Sequence, residues 1–199
     1  MSLRRLRHEQ PASFTFSEAN KARVEEEIAK YPAGRQASAV VAALWIGQEQ
    51  EGWVTKPMIE AVARMLDMAP VRVLEVATFY TMFNLEPVGE HLVQVCTTTP
   101  CWLRGSDDVV KACKKHIHEK PHTISKDGKF SWEEAECLGA CVNAPMMQIG
   151  KNTYEDLDGP TTERILQALR DGKTPKPGSQ TGRHSSEPEG GPTTLKEKV

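Results

Sequence analysis

From Ser17 to Ala77 the apolar positions recur at helical spacing. Ser17 has the side chain of an N-cap, Glu18 sits in the first turn, and Val24, Ile28 and Tyr31 follow along one face. Tyr31-Pro32-Ala33-Gly34 ends that helix. A second is predicted through Val40, Val41, Leu44 and Trp45, stopping near Gly52. Thr55 caps a third, with Pro57 in its first turn and Ile59, Val62, Ala63 and Leu66 facing inward. A fourth opens near Pro70 and carries Val71, Leu74 and Ala77. Four short helices with short connections predict a small bundle.

After Phe79 the period changes. Tyr80 to Leu85 is aromatic and β-prone, and Glu86-Pro87-Val88-Gly89 interrupts it. His91 to Val95 reads as a strand running into Cys96. Ser106 starts a helix with Asp107 and Asp108 in its first turn, and Val109, Val110, Cys113 and Ile117 form its buried side. Asp127-Gly128 is a turn, after which Phe130, Trp132 and Glu134 alternate as a strand does. Met146 to Ile149, the turn Gly150-Lys151-Asn152 and Thr153 to Leu157 make a hairpin. Thr161 or Thr162 is expected to cap a last helix through Ile165, Leu166 and Leu169. The expected fold is therefore α+β: an N-terminal helical bundle, then an α/β layer with helices on a small mixed sheet.

The expected organisation is a flexible arm over residues 1–16, a helical domain over 17–85, an α/β domain over 86–171 and a tail over 172–199. Positions 171–199 hold five Gly, four Pro and two aliphatic residues, Leu195 and Val199, too little apolar surface to fold alone.

Composition narrows the function. The chain has 199 residues, 39% hydrophobic, and its 25 Lys and Arg nearly balance 27 Asp and Glu. That balance gives no electrostatic case for a nucleic-acid binder. The longest apolar run, Ala37 to Gly47, falls well short of the roughly 18 residues a membrane helix needs. Arg4, Arg5 and Arg7 make the N-terminus basic, but it lacks the apolar stretch of a secretory signal, and a reducing compartment is expected. Five cysteines in that setting point to metal or redox work rather than a disulfide framework.

Four of the five form two close pairs, Cys96-Thr-Thr-Thr-Pro-Cys101 and Cys137-Leu-Gly-Ala-Cys141, both read as lying on loops. Two thiolate pairs can hold one tetrahedral zinc or give each iron of a 2Fe–2S cluster two ligands. Neither pair has the two-residue spacing usual in zinc knuckles, and the wider bends suit a binuclear core. A plant-type ferredoxin would place a further cysteine where Arg104 stands. Thioredoxin-type disulfide chemistry needs Cys-x-x-Cys, which is absent. Thr97, Thr98, Thr99 and Gly139 are candidate donors or close-approach points for a cluster, and equally ordinary turn residues. Cys113, on an apolar helix face, is expected to be core. His116, His118 and His122 near a helix end offer a weak alternative metal site, and the sequence has no GxGxxG or P-loop.

Val93-Gln-Val-Cys96-x4-Cys101, followed by Glu136-Cys137-Leu-Gly-Ala-Cys141-Val-Asn-Ala-Pro145, resembles the thioredoxin-like 2Fe–2S ferredoxin family. Within it the likeness is to the 24 kDa flavoprotein-subunit branch of the proton-pumping NADH:quinone oxidoreductase, complex I. It covers most of the chain: Thr78-Phe79-Tyr80, Tyr154-Glu-Asp-Leu157, and the tail from Gly182-Arg183 through Ser186-Glu187-Pro188 to Gly190-Gly191-Pro192. The resemblance implies a thioredoxin-like domain in which Cys96 and Cys101 bind one iron and Cys137 and Cys141 the other. It implies a partner subunit carrying FMN and the NADH site, with the large iron-sulfur subunit as a further neighbour. The cluster would sit near that flavin, off the main electron route, and hold an electron reversibly. The chain would have no membrane segment of its own and would reach the membrane, from the cytoplasm or the mitochondrial matrix, only through the complex. The alternative readings are the equivalent subunit of an NAD-linked hydrogenase or formate dehydrogenase, or a zinc-stapled module. The tail is expected to dock along a partner.

Overall fold

A computed structural model describes residues 4–184 together with 186, 188, 190, 191 and 194. The tail positions Glu187, Pro192, Leu195 and Val199 lie outside the described residues. The chain divides into two units between Pro87 and Val88.

In the first unit the capping side chains act where the sequence places them. Ser17 Oγ accepts from the Asn20 amide at 3.3 Å and opens α1 (Glu18–Ala29). A 3-10 turn over Gln36–Ala39 runs straight into α2 (Val40–Glu51), which Gly52 ends in the left-handed conformation, φ 81°. Thr55 Oγ1 accepts from the Met58 amide at 3.2 Å and opens α3 (Lys56–Leu66), and Pro70 is the first residue of α4 (Pro70–Phe79). Val24, Leu44, Met58, Val62, Leu66, Val73, Ala77 and Phe83 are completely buried between these helices. Each large side chain of this kind contributes about 1.5–3 kcal/mol by leaving water.

On α4 the buried pair is Val73 and Ala77, four residues apart on one face, while Val71 is 57% exposed on another. Tyr80 to Leu85 is not a strand but a series of turns. Its backbone groups are used locally: Phe83 N–H donates to Tyr80 O, Asn84 N–H to Gln48 Oε1, and Val54 N–H to Asn84 O. The Arg4 guanidinium donates to the carbonyls of Thr78, Tyr80 and Phe83. Backbone groups bonded in this way are not free for a strand ladder. Residues 4–16 lack periodicity yet lie along this unit, with Phe16 buried and Arg7 N–H bonded to Leu85 O at 3.0 Å.

The second unit is a five-stranded mixed sheet in the order β2-β1-β3-β4-β5. β1 (His91–Cys96) runs parallel to β2 (Phe130–Ala135) and antiparallel to β3 (Met146–Ile149), which turns into β4 (Asn152–Glu155). A parallel pair needs a crossover, here supplied by α5 (Thr99–Leu103) and α6 (Ser106–His116). α6 and α7 (Gly159–Arg170) share one core with the sheet, in which Val93, Val95, Trp132, Met147 and Tyr154 meet Val109, Cys113, Ile165 and Leu166. Asp158, rather than either threonine, caps α7 by accepting from the Thr161 amide at 2.7 Å, and Thr162 instead bonds back to Asp158 O. The tail adds an unexpected short strand, β5 (Gly178–Ser179), parallel to β4.

At Gly89 the chain passes so close to β2 that an added Cβ would lie 2.3 Å from the Phe130 carbonyl carbon. Its amide bonds Ser131 Oγ at 3.0 Å, which fixes that approach. Gly89→Ala is expected to destabilise the protein by about 2 kcal/mol or more through backbone overlap. Gly159→Ala, where the nearest atom is 3.7 Å away, is expected to be near neutral, and urea denaturation of the two variants measures the contrast.

Asp127 ties the β2 entry to the end of α7. Hydrogen bonds from the Ser125 hydroxyl, the Lys129 amide and Arg170 outweigh its burial and lower its carboxyl from 3.8 to about 2. A depressed carboxylate stabilises the fold above its ordinary pKa and loses that contribution as pH falls through the folded value. The gap in denaturation midpoint between wild type and Asp127→Asn is therefore expected to hold steady from pH 7 to about 5 and to shrink below about 4.

Candidate functional site

The register Cys96↔Ala135 sets the ends of the parallel strands β1 and β2 side by side, so both cysteine segments leave the same edge of the sheet. The antiparallel pair Val95↔Met147 brings the start of β3 to that edge as well. Cys96 is the last residue of β1. Cys101 is not on a plain loop: Pro100 sits in the first turn of α5, a conformation its fixed φ favours, and Cys101 follows it on that helix. Cys137 follows β2 on a true loop, in which Gly139 adopts φ 90°. Cys141 opens a 3-10 turn, Cys141–Asn143, that leads through Pro145 into β3.

This loop is held at several points. Asn143 Nδ2 donates to Glu155 Oε2 at 2.7 Å, Asp156 N–H to Asn143 O at 2.7 Å, and Leu157 N–H to Pro145 O at 3.1 Å. The tail joins in, with Arg183 Nη1 donating to Val142 O at 3.2 Å.

The two cysteine segments leave one edge of the sheet. Cys137 Sγ and Cys141 Sγ are 3.3 Å apart, and Cys96 and Cys101 share one small buried cluster. Cys96 and Cys101 are buried against Ala144 and Met146, Cys141 is half-buried and Cys137 is exposed. Among the described residues no three His, Cys, Asp or Glu side chains converge on one point as a single metal ion requires.

Charge decides how these sulfurs behave. Burial is the largest single influence on Cys96 and would raise its thiol. Hydrogen bonds from the Thr98 hydroxyl and amide, the Cys101 thiol and the Leu138 amide outweigh it and hold that thiol below its ordinary value. Cys101 goes the other way, pushed up to about 12 by burial and by Cys96, although the Met146 amide opposes the shift. Cys141 is raised by its hydrogen bond with Cys137, then by burial, then by the charges of Cys137 and Cys96. Four thiolates cannot share this volume unless a cationic core neutralises them, and such a core would meet sulfur donors only. The donor set fits a binuclear iron–sulfur cluster, whose ligands are thiolates.

Of the three threonines, only Thr98 touches sulfur, with Oγ1 3.2 Å from Cys96 Sγ, while the Thr97 hydroxyl donates to Glu134. The amides of Leu138 and Met146 had no signal in the sequence, since every residue but proline carries one. The histidines do not gather: His116 pairs with Glu163, His122 with Glu133, and His118 accepts from the Lys120 amide. Cys113 lies in the core of the second unit, its thiol pushed up to about 12 by burial alone. Trp132 is also core, whereas Trp102 and Val142, flanking the two pairs, are 58% and 57% exposed.

Residues 24–170 match the model of the thioredoxin-like [2Fe-2S] ferredoxin family. The chain is 54% identical over 200 residues to an NADH-quinone oxidoreductase subunit of Rhizobium meliloti (strain 1021), covering 98% of this chain and 73% of that one. It is 45% identical over 185 residues to NADH dehydrogenase [ubiquinone] flavoprotein 2, mitochondrial, of Dictyostelium discoideum, covering 92% and 75%. A crystal structure of NAD+-reducing [NiFe]-hydrogenase in the H2-reduced state shares the fold, with TM-score 0.58 and 15% identity over 68% of this chain and 22% of that one.

The gradation in exposure is directly measurable on the metal-free, reduced protein. Iodoacetamide is expected to modify the exposed Cys137 first and to leave the buried Cys113 untouched until denaturant is added. Peptide mapping by mass spectrometry gives the order.

Proposed function

The chain belongs to the thioredoxin-like [2Fe-2S] ferredoxin family, and on that premise we propose that Cys96 and Cys101 hold one iron of its 2Fe–2S cluster and Cys137 and Cys141 the other. The protein is an electron-transfer subunit of an NADH-quinone oxidoreductase, as its extended likeness to the Rhizobium and Dictyostelium relatives supports. The observation that supports the ligand assignment is that both cysteine segments leave one sheet edge, Cys96 at the end of β1 and Cys137 just after β2. When bound, the cluster supplies a one-electron centre that gains a negative charge on reduction.

This chain's residues prepare for that charge. The Leu138 amide acts on Cys96 and the Met146 amide on Cys101, so backbone dipoles face two of the sulfurs. Burial of Cys96 and Cys101 opposes the more negative state, and the open side at Cys137 relieves it. The exposed side is also the one an electron donor can approach. That donor is the flavin- and NADH-binding subunit of the same complex, with the large iron-sulfur subunit nearby. No described helix is long and apolar enough to cross a membrane, so the chain joins the membrane complex through those partners. The hydrogenase reading rests on shared fold alone, at 15% identity.

Material produced anaerobically with ample iron is expected to be brown, with about two irons and two acid-labile sulfides per chain. Cys113→Ser is expected to keep the visible absorption and Cys137→Ser to lose it. Equal loss in both would reject the assignment, and a colourless protein with one zinc would reject the redox reading itself. NADH oxidation by the isolated chain is expected to be absent.

A further inference from the structure

Thr98 is the residue before α5, where a threonine side chain ordinarily accepts a hydrogen bond from an amide two or three positions on. Here it makes no such bond. Its hydroxyl turns instead to Cys96 Sγ, at 3.2 Å. Thr97 directs its hydroxyl to Glu134 Oε2, also at 3.2 Å, so neighbouring threonines with the same chemistry are used differently. Between two protonated groups either atom can donate. A sulfur bound to iron has no proton to give, which leaves the Thr98 hydroxyl as the only donor in that contact. Cys96 is 1% exposed, so water does not stand in when the hydroxyl is removed.

Resting on the ligand assignment above, we propose that Thr98 is a positioning residue for the redox chemistry. Its hydroxyl hydrogen bond to the Cys96 sulfur favours the reduced, more negative state of the cluster and raises its reduction potential. A hydrogen bond is stronger to an acceptor with more negative charge, so its loss weakens the reduced state more than the oxidised one.

The test is a dithionite titration of the full, cluster-loaded chain followed by EPR, comparing wild type with Thr98→Val, Thr98→Ser and Thr97→Val. Removing the hydroxyl in Thr98→Val is expected to lower the equilibrium constant for one-electron reduction three- to tenfold. At 59 mV per tenfold for a one-electron couple, that is a midpoint about 28–59 mV lower. Thr98→Ser keeps the donor and is expected to stay within twofold of wild type, as is Thr97→Val. An unchanged midpoint in Thr98→Val, or an equal fall in Thr97→Val, overturns the proposal while leaving the ligand assignment standing. If the valine variant does not load, Thr98→Ala takes its place. Failure of both to take up iron while Thr98→Ser loads assigns the hydroxyl to cluster assembly and equally overturns the tuning role. A wild-type chain with no reduced-state signal instead defeats the cluster assignment itself.

Discussion

Mutual repulsion among four sulfurs is the constraint on which this domain depends. Every ligand of an iron–sulfur core carries negative charge, and two of the four cysteines proposed to hold one, Cys96 and Cys101, are buried. Bringing such groups together in a medium of low polarity is unfavourable unless dipoles and a metal core oppose the charge. Hydrogen-bond donors lower the Cys96 thiol while burial raises that of Cys101, so the two sulfurs of one pair sit in unlike surroundings. The rest of the second unit serves to hold these groups where repulsion would otherwise drive them apart.

Strand direction solves the positioning problem. Because β1 and β2 are parallel and in register, their ends deliver two distant segments to one edge, and antiparallel β3 returns a third. The crossover that a parallel pair requires is then put to use, since its first turn, α5, carries Cys101. The second cysteine loop, regular only in its single 3-10 turn, is held by side chains from β4 and the tail and by backbone amides from the segment before α7. Such bracing restricts a loop that would otherwise change shape when the charge at its centre changes.

The tail illustrates a different balance. It has too little apolar surface to form a core, but two of its residues extend an existing sheet edge. Ser179 Oγ bonds to Asp156 Oδ2 at 2.5 Å, and Arg183 reaches the cysteine loop. Borrowed strand pairing asks little of composition, so a Gly- and Pro-rich segment can take part in a fold it could not build. A docked segment of this kind also protects the edge strand it covers.

Local rules in the sequence were sufficient for much of this molecule. Ser17, Thr55, Gly52 and Pro70 mark helix ends because capping and φ preferences act over a few residues. The alternation around Trp132 and the Met146 to Leu157 hairpin follow from side-chain period in the same way. The paired cysteine spacings by themselves pointed to the chemistry, and the motif to its family. What the chain could not declare depends on residues far apart in order. At Tyr80 to Leu85 turns stand in place of the expected strand, and Arg4 and Gln48, both distant in sequence, bond backbone groups there. Which of three adjacent threonines faces sulfur, and which amides face Cys96 and Cys101, follows from sheet register and from Glu134 drawing Thr97 aside. Period and capping are properties of neighbours along the chain, whereas an electrostatic environment is a property of neighbours in space. Only folding makes those neighbours.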